Sequence, residues 1–372
     1  MSGQHNKDII HLDCTLRDGG YYNNWEFDEN LINDYLKAMK DAKVDVVEIG
    51  FRSLNNENYK GPTAYSKDEF INPLKIPKSI KIAVMINASE LIQNKKFSKK
   101  NLYNLIPHKN KNTKVKIIRI ACHHHEFPII CKFSNLIKDL GYILILNLMQ
   151  SSELTEKILE NFLKLLKKSK IDVFYLADSL GSLDEFQLNN ILKKIKNKKL
   201  NLPIGFHAHD NLTLAHRNSV FAIKSGVKWI DSTINGMGRG PGNARTELLI
   251  PALSDIKKKK VSVVSLEKLI FKYFLKLKEK YHWGTNYYYY KAAINKIHPT
   301  FIQMMERDKR YTPEDKLRIL NKLSKSKNTI NFSHTLFEEN LKKNDVVNKK
   351  NISDFNKLKN IFKKYKKKEI LL

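Results

Sequence analysis

Eight short apolar runs dominate the first 250 residues of this 372-residue chain. Most of them are apolar with few interruptions, which is typical of parallel strands covered on both faces. Amphipathic segments with apolar residues at helical spacing separate most of the runs, as in the stretch from 154 to 165. The predicted strands are 9–14, 44–51, 80–86, 115–122, 142–149, 173–177, 203–207 and 229–234.

This alternation predicts an α/β fold. Eight βα units in succession favour a (β/α)8 TIM barrel over an open doubly wound sheet. We therefore assign residues 1–252 to a TIM-barrel catalytic domain. The pattern then changes to long lysine-rich helices, so we predict that 253–372 form a helical, lysine-rich C-terminal extension. In such a barrel, the chemistry lies at the C-terminal ends of the strands.

Composition argues against several classes of protein. No apolar run reaches the roughly 18 residues that span a bilayer, and the first residues lack the apolar core of a signal peptide. The three cysteines include no CxxC pair, so a disulfide framework is not expected. We expect a cytoplasmic protein without a membrane partner.

The net charge of +29 raises the question of nucleic acid. Most of the basic residues are lysines spread over predicted helix faces, whereas a nucleic-acid site more often concentrates arginine and aromatic residues in one patch. We therefore predict no nucleic-acid partner. The positive charge would still favour anionic small molecules by electrostatic steering.

Polar side chains follow the predicted strands. Because the C-terminal ends of barrel strands share one face, we expect these side chains to surround one site. Arg17 and Asp18 follow the first strand, and His207 and His209 end the seventh. We predict that four further residues at this face contact the substrate: Glu48, Asn87, Asp178 and Gly238.

A metal site is the first hypothesis for this face. His207 and His209 are two apart on a strand, so their imidazoles point the same way. Asp18 follows the first strand, which lies next to the eighth strand in a closed barrel, and the seventh strand lies on the other side of the eighth. The three side chains can therefore converge. Imidazole and carboxylate donors suit a divalent ion such as Mn²⁺, Zn²⁺ or Mg²⁺. The alternative is two ordinary polar residues at the barrel rim.

Arg17 adds a permanent cation beside the predicted metal site. Its guanidinium is a fork of donors that matches a carboxylate or an enolate oxygen. The alternative is a structural salt bridge. A buried arginine beside a metal is costly without an anionic partner, which favours a substrate anion.

Two further motifs lie at the same face. The glycine-rich loop 236–243 follows the last predicted strand, and its backbone N–H groups could bind an anion, with a flexible loop as the alternative. Asn243 at its end could add a carbonyl oxygen to the metal. The triple 123–125 offers alternate histidines to the barrel mouth, with surface histidine as the alternative.

The motifs 13–19 (Asp-Cys-Thr-Leu-Arg-Asp-Gly), 207–211 (His-Ala-His-Asp-Asn) and 242–244 (Gly-Asn-Ala) together resemble the metal-dependent aldolase and acyltransferase superfamily of TIM-barrel enzymes, which includes hydroxymethylglutaryl-CoA lyase. Within it, the chain is closest in type to 4-hydroxy-2-oxovalerate aldolase. The resemblance covers about residues 8 to 252.

The resemblance implies the roles of the site residues. Asp18, His207 and His209 would bind a divalent metal, with Asn243 as a fourth ligand in part of the family. Mn²⁺ is the expected ion, with Mg²⁺, Co²⁺ or Zn²⁺ as alternatives. Arg17 would stabilise an enolate, since a Lewis acid and a guanidinium together lower the cost of charge on an oxygen.

Departures from the family's motifs reduce the number of family reactions that fit this chain. The synthases usually carry Glu-Gln after the first glycine, where this chain has Gly20 and Tyr21. The lyase uses a cysteine in the loop after strand eight, and 236–243 contains none. The aldolases place an acid/base histidine near position 21. Tyr21 or His123, or else a metal-bound water, would carry the proton here.

We therefore predict a divalent-metal-dependent aldolase, a carbon–carbon lyase that cleaves or forms a 4-hydroxy-2-oxoacid through a pyruvate-type enolate. Its small-molecule partners would be a 2-oxoacid and an aldehyde. A homodimer or a complex with a partner dehydrogenase is the expected assembly. The alternatives are a Claisen-type synthase that condenses an acyl-CoA with a 2-oxoacid, and a non-catalytic barrel that acts as a binding subunit.

Overall fold

The computed structural model describes residues 8–54, 58–107, 112–258 and 260–341. The last part of the predicted C-terminal extension, 342–372, lies outside this description. The chain divides into two compact units, one ending at Gly284 and the other beginning at Thr285.

Eight parallel strands close into a barrel, in the spatial order β1-β8-β7-β6-β5-β4-β3-β2. The barrel closes where Ile10 pairs with Trp229 and Leu12 pairs with Val46. The predicted TIM barrel is therefore confirmed, and every predicted strand is present to within a few residues. The strands are β1 Ile10–Asp13, β2 Val46–Phe51, β3 Lys81–Asn87, β4 Val115–Cys122, β5 Ile143–Leu148, β6 Val173–Asp178, β7 Ile204–Ala208 and β8 Trp229–Ser232.

Long amphipathic helices cover the outside of the barrel. Polar side chains start several of them: Asp28 accepts hydrogen bonds from the backbone N–H groups of Asn30 and Leu31, and Asp184 forms a capping box with Gln187. The helices are Glu29–Asp41, Phe127–Lys138, Glu156–Lys168, Glu185–Asn197, Ala215–Lys224 and Thr246–Lys257.

Shorter elements occupy the loops. A two-stranded antiparallel hairpin joins Ile92–Gln93 to Lys96–Phe97. Short α-helices are Thr15–Asp18, Gly20–Asn23, Asp68–Ile71, Ala88–Leu91 and Lys99–Leu105. Single 3₁₀ turns are Pro62–Ala64, Ser151–Glu153 and Ile234–Gly236.

Two apolar layers stabilise the barrel. The strands point Leu12, Ala83, Ile117 and Tyr175, with their neighbours, into the barrel interior, where they form a separate buried cluster. The opposite faces of the strands pack against the helices in the largest core of the molecule. Parallel strands buried on both faces explain the nearly continuous apolar runs of the sequence.

The barrel unit continues past the predicted boundary at 252, which falls inside the helix Thr246–Lys257. A further helical stretch follows it, consisting of Val264–Leu269, a π-helical turn Ile270–Phe274, and Leu275–Tyr281. Lys272 and Tyr273 both donate hydrogen bonds to Asp34 on the first long helix, which ties this stretch to the barrel.

The second unit is a small helical bundle, so the predicted helical C-terminal region is confirmed for the part that the structure describes. Its core includes Phe301, Ile302 and Phe337. Its helices are Tyr287–Ile294, Pro299–Arg307, Pro313–Leu323 and His334–Asn340. In the described ranges of both units, every helix is too short or too polar to cross a membrane.

Candidate active site

Three side chains with metal-binding donors meet at the C-terminal face of the barrel. Asp18 ends the short helix that follows β1, His207 lies near the end of β7, and His209 follows that strand. Their donor atoms all lie within 4.8 Å of one another, and all three residues are buried. We call Asp18, His207 and His209 the metal-ligand cluster.

Asn243, at the end of the glycine-rich loop 236–243, lies against the cluster. A β-bridge between His209 and Asn243 brings the loop onto the site. The Asn243 amide nitrogen Nδ2 lies 2.6 Å from Asp18 Oδ2 and 3.1 Å from His207 Nε2. The predicted fourth ligand is therefore adjacent to two of the other three.

The donor set fits a divalent ion. In the described part of the chain, Asn243 Oδ1 and His209 Nδ1 are buried without a hydrogen-bond partner. Buried polar atoms are normally satisfied, and a metal ion would satisfy acceptors such as these. Rotating the Asn243 amide by half a turn exchanges its oxygen with the nitrogen that now faces Asp18. One carboxylate, two imidazoles and an amide oxygen are ligands that divalent ions accept.

Arg17 is held against the cluster by two carboxylates. Its Nη1 lies 2.9 Å from Asp18 Oδ1, and its Nε donates to Glu48 Oε2 at 2.7 Å. The second oxygen of Glu48 accepts from Arg119 Nη1 at 3.1 Å. Arg119 lies on β4 and is fully buried.

The chain of ion pairs closes on itself. Arg119 Nη2 donates to Asp231 Oδ2 at 2.7 Å, and the same oxygen lies 2.9 Å from His207 Nδ1. His207 Nε2 is 3.3 Å from Asp18 Oδ2. We call this closed circuit of ion pairs and hydrogen bonds the charged ring; its members are Arg17, Asp18, His207, Asp231, Arg119 and Glu48. Buried charges persist when each has a partner of opposite sign, as here.

The charged ring sets the protonation of the ligands. Burial alone would raise the pKa of Asp18, but Arg17 and His207 hold it well below its usual value. Burial would lower the pKa of His207, whereas hydrogen bonds to Asp18 and Asp231 raise it. Burial and the nearby charge of His207 lower the pKa of His209. Asp18 is thus an anion, and a metal must compete with a proton at His207.

Tyr21 lies beside this charge pattern. Its ring packs edge-on against Trp25, with ring centroids 4.7 Å apart, and against Phe51 at 6.2 Å. Burial, together with the negative charge of Asp18, raises the pKa of Tyr21 to about 12. The phenol therefore stays protonated near neutral pH, so it carries a proton there instead of a negative charge.

Glu48 and Gly238, two of the predicted substrate contacts, also contact other residues of the site. Glu48 is fully buried and both of its oxygens accept hydrogen bonds from arginines, so the geometry makes it a positioning residue for Arg17. Gly238 gives Asn243 room, since a Cβ at position 238 would lie 2.1 Å from Asn243 Oδ1. Both residues therefore support neighbouring side chains of the site, and a substrate contact stays a prediction for each.

Asp178 and Asn87 end β6 and β3, and His123 directly follows β4, so all three lie at the same face of the barrel, as predicted. Asp178 accepts backbone hydrogen bonds from the turn that follows it, and burial raises its pKa to about 7. The half-buried ring of His123 stacks on His125, with centroids 5.9 Å apart. The contacts described for Asn87 and His123 do not connect them to the metal-ligand cluster.

Sequence reasoning missed three charged residues of the site. Asp231 and Arg119 belong to the charged ring, and buried Arg239 in the glycine-rich loop donates through Nη2 to the carbonyl of Ser179. A charged residue inside an apolar strand is itself a signal, because strands covered on both faces otherwise exclude charge. That signal was present at Arg119 and Asp231.

A family model described as HMGL-like matches residues 8–270. The chain belongs to the HMGL-like family. The matched range contains the whole charged ring and Asn243, which agrees with the resemblance inferred from the three sequence motifs.

Relatives in this family are aldolases. The chain is 28% identical over 258 residues to 4-hydroxy-2-oxovalerate aldolase of Carboxydothermus hydrogenoformans, covering 67% of this chain and 72% of the relative. It is 30% identical over 247 residues to the enzyme of the same name from Geobacillus genomosp. 3, covering 65% of this chain and 69% of the relative. The predicted aldolase-type lyase is confirmed by these relatives at the level of enzyme class.

Two solved structures resemble this chain in fold. The N-terminal domain of a candidate aldolase from Bacteroides vulgatus superimposes with a TM-score of 0.72 at 33% identity, covering 80% of this chain and 96% of that domain. Hydroxymethylglutaryl-CoA lyase of Bacillus subtilis gives a TM-score of 0.58 at 16% identity, covering 75% of this chain and 95% of the lyase, and shares the fold.

Proposed function

We propose that this HMGL-like protein is a divalent-metal-dependent aldolase that cleaves or forms a 4-hydroxy-2-oxoacid. The observation that carries the proposal is the convergence of the metal-ligand cluster with Arg17, whose guanidinium lies 2.9 Å from Asp18. Mn²⁺ is the proposed ion, with Mg²⁺, Co²⁺ and Zn²⁺ as alternatives that the same donors accept.

The metal and Arg17 supply complementary chemistry. A divalent ion held by Asp18, His207, His209 and Asn243 would act as a Lewis acid toward a 2-oxoacid. Burial would lower the pKa of Arg17, but the carboxylates of Asp18 and Glu48 outweigh burial, so the guanidinium stays charged. A fixed cation in a desolvated site stabilises developing negative charge on an oxygen more strongly than it would in water.

Tyr21 is the proposed proton donor. In the addition direction, the oxygen of the aldehyde gains negative charge and must be protonated. A phenol with a pKa near 12 is fully protonated at neutral pH and can supply that proton. His123 remains the second candidate for the acid/base role, because it lies at the end of β4 on the same face.

The second substrate is proposed to be an aldehyde. The first substrate is proposed to be a 2-oxoacid. We also propose a cytoplasmic location and, as the assembly, a homodimer or a complex with a partner dehydrogenase. Support for the 2-oxoacid comes from the named aldolase relatives, whose own substrate is a 4-hydroxy-2-oxoacid.

The test is pyruvate release from 4-hydroxy-2-oxovalerate in the presence of Mn²⁺, followed through lactate dehydrogenase. The proposal predicts release that EDTA abolishes and that His209→Ala lowers by at least 100-fold. A parallel assay measures free thiol from acetyl-CoA with several 2-oxoacids. Thiol release without pyruvate release would support the Claisen-type synthase, and inactivity in both assays would favour the binding subunit.

A further inference from the structure

Two tryptophans contact the loops that carry Asp18 and Asn243, two of the four proposed metal ligands. The indole nitrogen Nε1 of Trp25 donates to the backbone carbonyl of Arg17 at 2.9 Å. Arg17 directly precedes the ligand Asp18, so this bond fixes the backbone of the first metal-carrying loop. Gly20 leaves room for the Trp25 ring, because a Cβ at position 20 would lie 2.1 Å from Trp25 Cδ1.

Trp283 makes the equivalent contact on the other side of the site. Its Nε1 donates to the backbone carbonyl of Asn235 at 2.9 Å. Asn235 has a left-handed backbone, with φ of 51°, and it leads directly into the glycine-rich loop that ends at Asn243. Trp283 is only 2% exposed, so its bond is protected from water.

A shared carbonyl connects the two sides. The backbone oxygen of Gly240, in the glycine-rich loop, accepts from the hydroxyl of Tyr22 at 3.1 Å and from the N–H of Gly284 at 3.1 Å. The Tyr22 ring lies 5.9 Å from the Trp283 ring, centroid to centroid. The loop after β1, the loop after β8 and the segment after the last barrel helix therefore meet at one point.

We propose that Trp25 and Trp283 are positioning residues that hold the two metal-carrying loops at the separation the metal requires. The inference rests on the proposed metal site. Neither indole is a ligand; each acts through a backbone carbonyl of a loop that presents one. The segment 282–284, which follows the last helix of the barrel unit, thereby becomes part of the site.

The structural reason is the weak intrinsic order of the second loop. Gly236, Gly240 and Gly242 all adopt positive φ, at 65°, 61° and 79°. Glycines lose more conformational freedom on ordering than other residues, so this loop orders only when outside contacts stabilise it. Without the contact from Trp283, the loop would present Asn243 to the cluster for a smaller fraction of the time.

The test compares Trp25→Phe, Trp283→Phe and a matched control, Trp229→Phe, in the full-length protein. Trp229 is the remaining tryptophan of the chain and, like Trp283, it is buried. It opens β8 at the opposite end of the barrel, where it pairs with Ile10. Mn²⁺ is titrated into metal-free protein, and free Mn²⁺ is measured by electron paramagnetic resonance.

We expect Trp25→Phe and Trp283→Phe to weaken Mn²⁺ binding about 10-fold each, as for supporting residues of other metal sites, and Trp229→Phe to leave it unchanged. Enzymatic activity of the two variants should recover when the Mn²⁺ concentration is raised in proportion to the loss of affinity. The melting temperature measured in EDTA separates this role from a purely structural one. A lower melting temperature with unchanged Mn²⁺ affinity would overturn the inference.

A milder variant covers the case in which Trp283→Phe does not fold. Tyr22→Phe removes only the hydroxyl that bonds to Gly240 and should weaken Mn²⁺ binding about 3-fold. If wild type binds Mn²⁺ tightly and all of these variants bind it equally tightly, this inference alone is overturned. Failure of wild type to bind Mn²⁺ overturns the proposed function as well.

Discussion

The carboxylate of Asp231 lies 2.9 Å from Nδ1 of His207, and this contact orients the imidazole so that Nε2 faces Asp18. Asp231 was not among the residues that the sequence motifs indicated. It belongs to β8, while His207 belongs to β7, so two adjacent strands set the orientation of one ligand. A carboxylate behind a ligating histidine fixes its tautomer and raises its basicity.

Replacing Asp231 with Asn should therefore weaken Mn²⁺ binding by about 10–100-fold, because the imidazole loses its anionic partner. Calorimetric titration of Mn²⁺ into metal-free protein measures the change. Asp184→Asn is the matched control, since Asn caps a helix as well as Asp does and position 184 lies outside the site. Equal affinity of Asp231→Asn and wild type would show that this contact does not position the ligand.

Arg119→Met should destabilise the whole barrel. The variant leaves Glu48 and Asp231 buried without the cation that both contact, and breaking a buried pair costs about 3–5 kcal/mol. Urea denaturation measures the free energy of unfolding. The control Arg217→Met breaks a pair with Glu185 whose arginine side chain is 71% exposed, and it should cost less than about 1 kcal/mol. Similar losses in the two variants would contradict the account of the charged ring.

The Gly238→Ala variant should lose metal affinity through Asn243. Its Cβ would lie 2.1 Å from Asn243 Oδ1, so the amide must move away from the metal-ligand cluster. A double-mutant cycle with Asn243→Ala tests the mechanism, because contacting residues give non-additive effects. Gly238→Ala should cause little further loss of Mn²⁺ affinity once Asn243 is already alanine. Additive losses would show that the glycine acts elsewhere.

Much of the fold could be predicted because its cause is local. Strands buried on both faces leave nearly continuous apolar runs, and amphipathic helices leave apolar residues at helical spacing. The metal-ligand cluster could be predicted because His207 and His209 share one strand face and Asp18 follows a strand end. The end of the barrel unit was harder to predict from the sequence, because the contacts of Lys272 and Tyr273 with Asp34 join residues more than 200 positions apart.

The supporting contacts of the site could not be predicted for the same reason. Glu48 was predicted to contact substrate because it lies in the second half of an apolar run, whereas its partners Arg17 and Arg119 become apparent only when three strands are brought together. The bond from Trp283 to Asn235 depends on where a helix ends relative to a loop 48 residues away. Sequence spacing carries little information about contacts of this kind.

The pH dependence should reveal the role of Tyr21. Since its pKa is raised to about 12, the protonated form persists well above pH 10, and aldol addition should not lose this proton donor across the neutral and mildly alkaline range. Tyr21→Phe should lower kcat for addition by about 10²–10⁴-fold without changing Mn²⁺ affinity. Tyr103→Phe, at an exposed position, is the control. Unchanged kcat in Tyr21→Phe would move the proton donor role to His123.

The metal-ligand cluster and Arg17 together should allow enolisation of a 2-oxoacid. Exchange of the C3 protons of pyruvate for deuterium in D₂O, followed by NMR with Mn²⁺ present, tests it without requiring the aldehyde. We predict exchange with wild type that stops in EDTA and falls at least 100-fold in Asp18→Ala. Absence of exchange with wild type at saturating Mn²⁺, or equal exchange by Asp18→Ala, would contradict the claim.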